Sequence, residues 1–292
     1  MAIGPLQARW GSQTYVMGII NVTPDSFSGD GLLGDEIPLE QVVEQARRFV
    51  EEGAHILDVG GESTRPGSQP VTEEEELARV VPAIAAIARE VQVALSVDTY
   101  KASVARAALD AGAHLINDVW GFRMDPAMAP LAAERGVPVV LMHNRSRPKD
   151  VAQEARLGGR YEGIQYENLL GDVAAELLES VQLARSAGVA REQIILDPGI
   201  GFGKSVPQNL ELLKRLDELK VLGYPLLLAP SRKSFIGYTL DLPPEERVEG
   251  TAATIAIGIA RGADIIRVHD VRVMARVAKM TDAITRQHAA YV

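Results

Sequence analysis

The chain contains no cysteine, which excludes disulfides, zinc–thiolate sites and cysteine nucleophiles. Long hydrophobic runs are also missing. The longest apolar stretch, Ala252 to Ala260, is too short to span a bilayer and stops at Arg261. No basic segment followed by an apolar one opens the chain, so no signal peptide is expected and the cytoplasm is the simplest location. Positive charge is in deficit: the formal charge of −9 argues against a broad nucleic-acid footprint, while leaving room for local cationic pockets. The five histidines show no metal-binding pair at helical spacing, so structural zinc is not expected. A hard cation held by oxygen ligands and phosphate stays compatible with the sequence.

What is present is apolar and periodic. Of 292 residues, 47% are apolar, enough for a sizeable core without staples. Eight short apolar runs read as strands: Val16–Ile20, Ile56–Val59, Val93–Val97, Leu115–Ile116, Val137–Met142, Ile194–Leu196, Leu226–Ala229 and Ile265–Val268. Between them lie helical stripes: Leu39, Val42, Val43, Ala46, Phe49 and Val50; Leu169, Val173, Leu177 and Leu178; Leu210, Leu213 and Leu216. The runs lack in/out alternation, as expected of a parallel sheet covered on both faces. Three joints repeat one pattern, Gly53-Ala54-His55, Gly112-Ala113-His114 and Gly262-Ala263-Asp264, each ending a helix and opening a strand. No linker divides the chain. Residues 1–292 therefore read as a single-domain (β/α)₈ barrel, with a doubly wound open sheet as the alternative.

In such a barrel the active site lies at the C-terminal ends of the strands. All eight endings here are polar, whereas the helix-to-strand joints are short and plain. An isolated aspartate at a strand end often only caps the next helix, but structural accidents would fall at both ends of the barrel. Residues 21–36 and 60–72 read as mobile active-site loops. Gly203-Lys204-Ser205 looks like the end of a P-loop. That motif needs glycine where Pro198 stands, and Pro207 delays the helix. The glycines instead let the backbone approach a flat ligand, with Phe202 as a wall. Asp98, Asn117 and Asp197 form the deep polar set. A carboxylate there can take two parallel hydrogen bonds from an aminopyrimidine edge. Arg65, Lys233, Arg267 and His269, expected nearer the rim, suit a phosphate or carboxylate.

Eight segments in order, one per strand ending, carry a resemblance: "MGIINVTPDSFS", "DVGGESTRPG", "SVDTYK", "INDVWG", "LMHNR", "LDPGIGFGK", "SRKSFIG" and "RVHD". With them the chain resembles the dihydropteroate synthase family over essentially its whole length. The resemblance implies a (β/α)₈ barrel that joins 4-aminobenzoate to 6-hydroxymethyl-7,8-dihydropterin diphosphate and releases diphosphate. It implies a homodimer, a sulfonamide target and Mg²⁺ as cofactor, with no nucleic-acid or membrane partner. By family pattern Asp98, Asn117, Asp197, Lys233 and Arg267 hold the pterin. Asn21, Arg65, Arg267 and His269 meet the diphosphate, with Asn21 also the metal ligand. Thr64, Arg65, Pro66, Phe202, Ser234 and Phe27 shape the aminobenzoate side. Asn21, Lys233, Arg267 and His269 then form the catalytic set.

The chemistry of the residues agrees. An arylamine attacking a methylene that can carry positive charge needs leaving-group stabilisation more than a strong base. No Ser-His-Asp arrangement is needed, and none is evident. Competing readings are a pterin-binding methyltransferase of the same barrel type, an aldolase using Lys233 as a Schiff base, and a catalytically silent pterin-binding protein. The chain departs from the family pattern at one place. After "DSFS" the family has Asp-Gly-Gly, whereas this chain has Gly29-Asp30-Gly31, which leaves the lid carboxylate to Asp30 or Asp25.

Overall fold

A computed structural model describes residues 1–23, 38–63, 70–147, 150–162 and 164–286. The apolar runs form eight strands: β1 (Tyr15–Asn21), β2 (Ile56–Gly60), β3 (Ala94–Asp98), β4 (Leu115–Asp118), β5 (Val139–Met142), β6 (Ile194–Asp197), β7 (Leu227–Leu228) and β8 (Ile265–Val268). All pair in parallel in the order β6-β5-β4-β3-β2-β1-β8-β7. A parallel bridge between Leu196 and Leu226, with the Leu196 N–H donating to the Pro225 carbonyl at 3.0 Å, joins the last strand to the sixth. The sheet therefore closes into a barrel, and the open-sheet alternative falls.

Helices cover the outside: α1 (Leu39–Glu51), α2 (Glu73–Glu90), α3 (Ala102–Asp110), α4 (Met128–Arg135), α5 (Leu169–Ser186), α6 (Val206–Lys214), α7 (Ser234–Leu240), α8 (Val248–Ala260) and α9 (Val271–Thr285). Their starts follow from capping. Thr72 and Glu75 form a reciprocal box before α2, and Ser205 and Gln208 do so before α6. The delayed start signalled by Pro207 is thereby explained. Gly53, Gly112 and Gly262 have φ of +105°, +118° and +94°, the left-handed turn their repeated joints require.

Two cores result. The larger lies between sheet and helices and takes Val42, Ala46 and Phe49 of α1 and Leu169, Val173 and Leu177 of α5. The smaller fills the lower barrel with Tyr15, Met17, Ile56, Leu115, Val140 and Ile195. Ile3 and Ala8 of the N-terminal segment close it from below, where Ala2–Ile3 pairs antiparallel with Leu6–Gln7. The sequence did not announce that plug, because strands of two residues leave no periodicity.

Several boundaries differ from the sequence reading. The third stripe is split: Leu210 is exposed, Leu213 is buried on α6, and Leu216 opens a separate 3₁₀ turn. Leu178 is exposed although its stripe is buried. The fifth strand starts at Val139, after Pro138, which has no N–H to give a ladder. Most important for function, Asn21, Gly60, Asp98, Asn117, Asp118 and Asp197 are residues of the strands, not of the loops after them. The strand backbone fixes their side chains.

Candidate active site

Register sets the level of each polar side chain. Asn21, Gly60, Asp98 and Asn117 stand side by side across β1 to β4. One step in from that row, two residues down each strand, Asp58 of β2 faces Ser96 of β3. Above the apolar floor the barrel interior thus turns polar within two residues.

Arg267 of β8 organises this layer. Its Nε donates to Asp58 Oδ2 and its Nη2 to Asp98 Oδ2, each at 2.5 Å. Asn117 Nδ2 donates to the same Asp58 oxygen at 3.0 Å, leaving its own carbonyl oxygen for a ligand donor. Burial pushes the Asp98 carboxyl up to about 7 against the pull of the Arg267 guanidinium. Burial also opposes the charge on Arg267, yet Asp58 and Asp98 hold it more firmly protonated than usual. A carboxyl shared by one arginine and held near neutrality can accept from or donate to a heterocycle edge.

Asp197 ends β6 and is 3% exposed. Its Oδ1 accepts from the Gly199 N–H at 2.7 Å, which leaves Oδ2 for a ligand. Burial raises its carboxyl above the ordinary range, opposed by Lys233. Lys233 approaches from the β7 side. Its Nζ donates to the Ile200 carbonyl and sits 4.4 Å from the centre of the Phe202 ring. Burial lowers this ammonium to about 7, with Asp197 pulling the other way. His269 follows β8. Its Nδ1 lies 3.0 Å from Ser231 Oγ, and its backbone N–H donates to the same oxygen at 3.2 Å, which holds the ring against the ending of β7. Arg232, at φ +56°, turns away from the site into a forked pair with Asp270 at 2.8 and 2.5 Å. That turn lets the next residue, Lys233, point inward. Ser234 opens α7 and is half-buried.

The structure therefore brings Asn21, Asp98, Asn117, Asp197, Phe202, Lys233, Ser234, Arg267 and His269 to one end of the barrel. Thr64, Arg65, Pro66, Phe27, Asp25 and Asp30 lie outside the described residues. Two positions differ from expectation. Arg267 was placed at the rim but is hydrogen-bonded within the carboxylate layer, and Lys233 lies across the Gly199–Lys204 turn. Sequence reasoning included Asp58 in the polar ending of the second strand but gave it no role; it is the shared acceptor for Arg267 and Asn117. The signal was there: a lone aspartate in the middle of the apolar run "ILDVG". Ser231 and Lys204 were missed because only the fold shows what they touch.

A family model described as pterin binding enzyme matches residues 17–269. Dihydropteroate synthase of Bacillus subtilis (strain 168) is 51% identical over 96% of this chain and 92% of its own. The chain belongs to the dihydropteroate synthase family of pterin-binding enzymes. Its barrel matches two solved members of the family. One is dihydropteroate synthase from Clostridium difficile in the presence of pteroic acid, with TM-score 0.87 and 45% identity, over 96% of this chain and 100% of that one. The other is the Xanthomonas albilineans enzyme with 4-aminobenzoic acid, with TM-score 0.83 and 41% identity, over 94% of each chain. In this family member, the strand-end carboxylates and the Phe202–Lys233 stack are two halves of one mouth.

Proposed function

We propose that the protein is a folate-pathway transferase that condenses 4-aminobenzoate with 6-hydroxymethyl-7,8-dihydropterin diphosphate to 7,8-dihydropteroate. The observation that carries this reading is the layer of Asp98, Asn117 and Asp197 inside the mouth of the barrel, with Arg267 among the carboxylates and Lys233 beside Asp197. The pterin edge lies on Asp197 Oδ2, Asn117 Oδ1 and Asp98, all on strand ends, with Asn117 held by Asp58, Asp98 by Arg267 and Asp197 by the Gly199 N–H. Lys233 joins the pterin side, Arg267 and His269 face the diphosphate, and Asn21 of β1 stands level with Asp98. Phe202 and Ser234 form the aminobenzoate side; the expected contributions of Thr64, Arg65 and Pro66 fall outside the described residues.

The C–O bond to diphosphate breaks first, and its electron pair leaves on the diphosphate. Positive charge on the methylene is spread into the dihydropterin. The arylamine nitrogen then forms the C–N bond and loses one proton. The protein contributes orientation and fixed charges aimed at the departing anion, which lowers the barrier without a strong base.

Mg²⁺ belongs to this reading. Among the described residues no three acidic or histidine side chains converge into a cage. The Asn21 amide is a hard oxygen donor at the mouth, and one such donor fits an ion that keeps its waters and is carried mainly by phosphate oxygens. Bound there, Mg²⁺ supplies charge neutralisation of the diphosphate. Chelation with EDTA is expected to stop diphosphate release in a coupled assay, and added Mg²⁺ to restore it. Full turnover in excess chelator contradicts the metal assignment.

We also infer a homodimer. Ile257 of α8 and Val273, Met280 and Ile284 of α9 are 52%, 41%, 63% and 72% exposed on adjoining helices. Exposed apolar side chains on neighbouring helices suit a second copy of the chain. Sedimentation is expected to give twice the 31.5 kDa chain mass, and Met280→Glu to give the monomer. A monomeric parent protein contradicts it. A cytoplasmic location accompanies this function; among the described residues no helix is long and apolar enough to cross a membrane.

A further inference from the structure

The lysine of the Gly199–Lys204 turn plays no part in the chemistry above, yet its surroundings are fully built. Lys204 is 2% exposed. Its Nζ donates to the carbonyls of Gly199 at 2.9 Å and Phe202 at 3.1 Å, and lies 2.9 Å from His143 Nδ1. On the far side of that ring, Nε2 stands 3.1 Å from Glu176 Oε2.

The neighbouring charges and hydrogen bonds set the protonation states. Burial works against ionisation of Glu176, but His143 and Arg145 beside it hold it down to about 2. Glu176 is thus a carboxylate at neutral pH. The His143 Nε2 makes no well-aligned hydrogen bond, but a bare lone pair 3.1 Å from that carboxylate would be repelled by it, so the proton of His143 sits on Nε2. Burial, helped by Lys204, keeps the imidazole neutral by lowering it to about 4. A neutral ring protonated on Nε2 has a bare Nδ1, which accepts from Lys204. Burial also drives Lys204 well below its ordinary value. Even so, each of its three ammonium protons has an acceptor, and we assign it the charged form.

The turn needs such a clamp. Gly199, Gly201 and Gly203 all have positive φ, at +69°, +81° and +62°. A Cβ on Gly199 would fall on the His143 carbonyl oxygen. A backbone this unrestricted has many other conformations in the absence of fixed partners. Its carbonyls fix where Phe202 stands and where Lys233 rests.

We propose that Lys204 is a positioning residue for the aminobenzoate side of the site. By pinning the Gly199 and Phe202 carbonyls it holds the turn on which the Phe202 ring and the Ile200 carbonyl meet Lys233. The proposal rests on the functional reading above. The pterin edge depends less on the clamp, because Asp98 and Asn117 are held by strands and by Asp58 or Arg267, and Asp197 ends β6 and meets the turn through the Gly199 N–H.

Lys204→Met keeps the stem and removes the donors. It is expected to raise KM for 4-aminobenzoate at least about tenfold, while Kd for the pterin diphosphate changes less than about threefold. Equal rises in both constants, or no rise in either, overturn the proposal. Should that variant not fold, His143 carries the test. His143→Leu removes the acceptor and reproduces the KM rise, whereas His143→Asn restores an acceptor and much of the affinity. Identical behaviour of the two variants contradicts the clamp. If the wild-type enzyme makes no dihydropteroate, the functional reading fails and the clamp is judged by the ¹⁵N spectrum of His143. A protonated Nε2 with a bare Nδ1 supports it, and the opposite tautomer overturns it.

Discussion

Asp197→Ala is expected to abolish turnover by removing pterin binding, with Kd for the pterin diphosphate rising roughly 10²- to 10⁴-fold. That range corresponds to two charge-assisted hydrogen bonds at about 1.5–3 kcal/mol each. Asp197 is almost completely buried, and only one of its oxygens is engaged by the protein, through the Gly199 N–H. The other is the acceptor in the pocket that lies beside Lys233. Without it the ring N–H and amine of a bound pterin stay unpaired in a site that excludes water, which costs more than the lost attraction. The fold should survive, because β6 pairs with β5 through its backbone. Calorimetric titration checks this. A variant that folds and binds the pterin diphosphate within about threefold of wild type contradicts the placement of the pterin.

Arg267→Ala has the second large effect, and it falls on stability as well as catalysis. Its guanidinium is the charged partner of Asp58 and Asp98, both inside the barrel. Removing one member of a buried pair leaves the other charge uncompensated, at a cost of about 3–5 kcal/mol. The loss depends on pH in a fixed direction. Asp98 already titrates at about 7 in the folded enzyme, raised from 3.8 by burial. A carboxyl raised on folding contributes stability when protonated, and loses that contribution as pH rises through its folded value. Without Arg267 the folded value rises further. Between about pH 7 and 9 the wild type has finished losing this contribution while the variant continues to lose it. The stability deficit measured by urea unfolding is therefore expected to be larger at pH 9 than at pH 6. A deficit that shrinks with rising pH shows that Arg267 is not holding a buried carboxyl. On the catalytic side, the variant is expected to lose turnover more than pterin binding, since Asp197 and Asn117 remain.

These two residues also show what the sequence could reveal. Asp197 was legible because a strand of β-branched and leucine residues ends on it, and barrels gather their strand ends at one mouth. Arg267 was legible as a site residue but not at its depth. A four-bond side chain starting level with Met17 can point to the rim or across the barrel, and only the closed sheet brings Asp58 within its reach. Asp58 was legible as part of a polar strand ending but not as a partner, because its acceptor role needs Arg267 and Asn117 from two other strands. Lys204 was read only as a failed P-loop, since its partners Gly199, Phe202 and His143 come from two strand endings. The N-terminal plug was invisible because packing, not pattern, places it. The barrel itself, by contrast, followed from eight short runs and three repeated glycine joints, which are local signals.

The most direct measurement mixes the purified enzyme, Mg²⁺ and dihydropterin diphosphate with 4-aminobenzoate, and quantifies both products. Dihydropteroate and diphosphate are expected in equal amounts, and neither when 4-aminobenzoate is omitted. Binding of both ligands without product, or diphosphate release with no new C–N bond, contradicts the assignment of this barrel as the condensing enzyme.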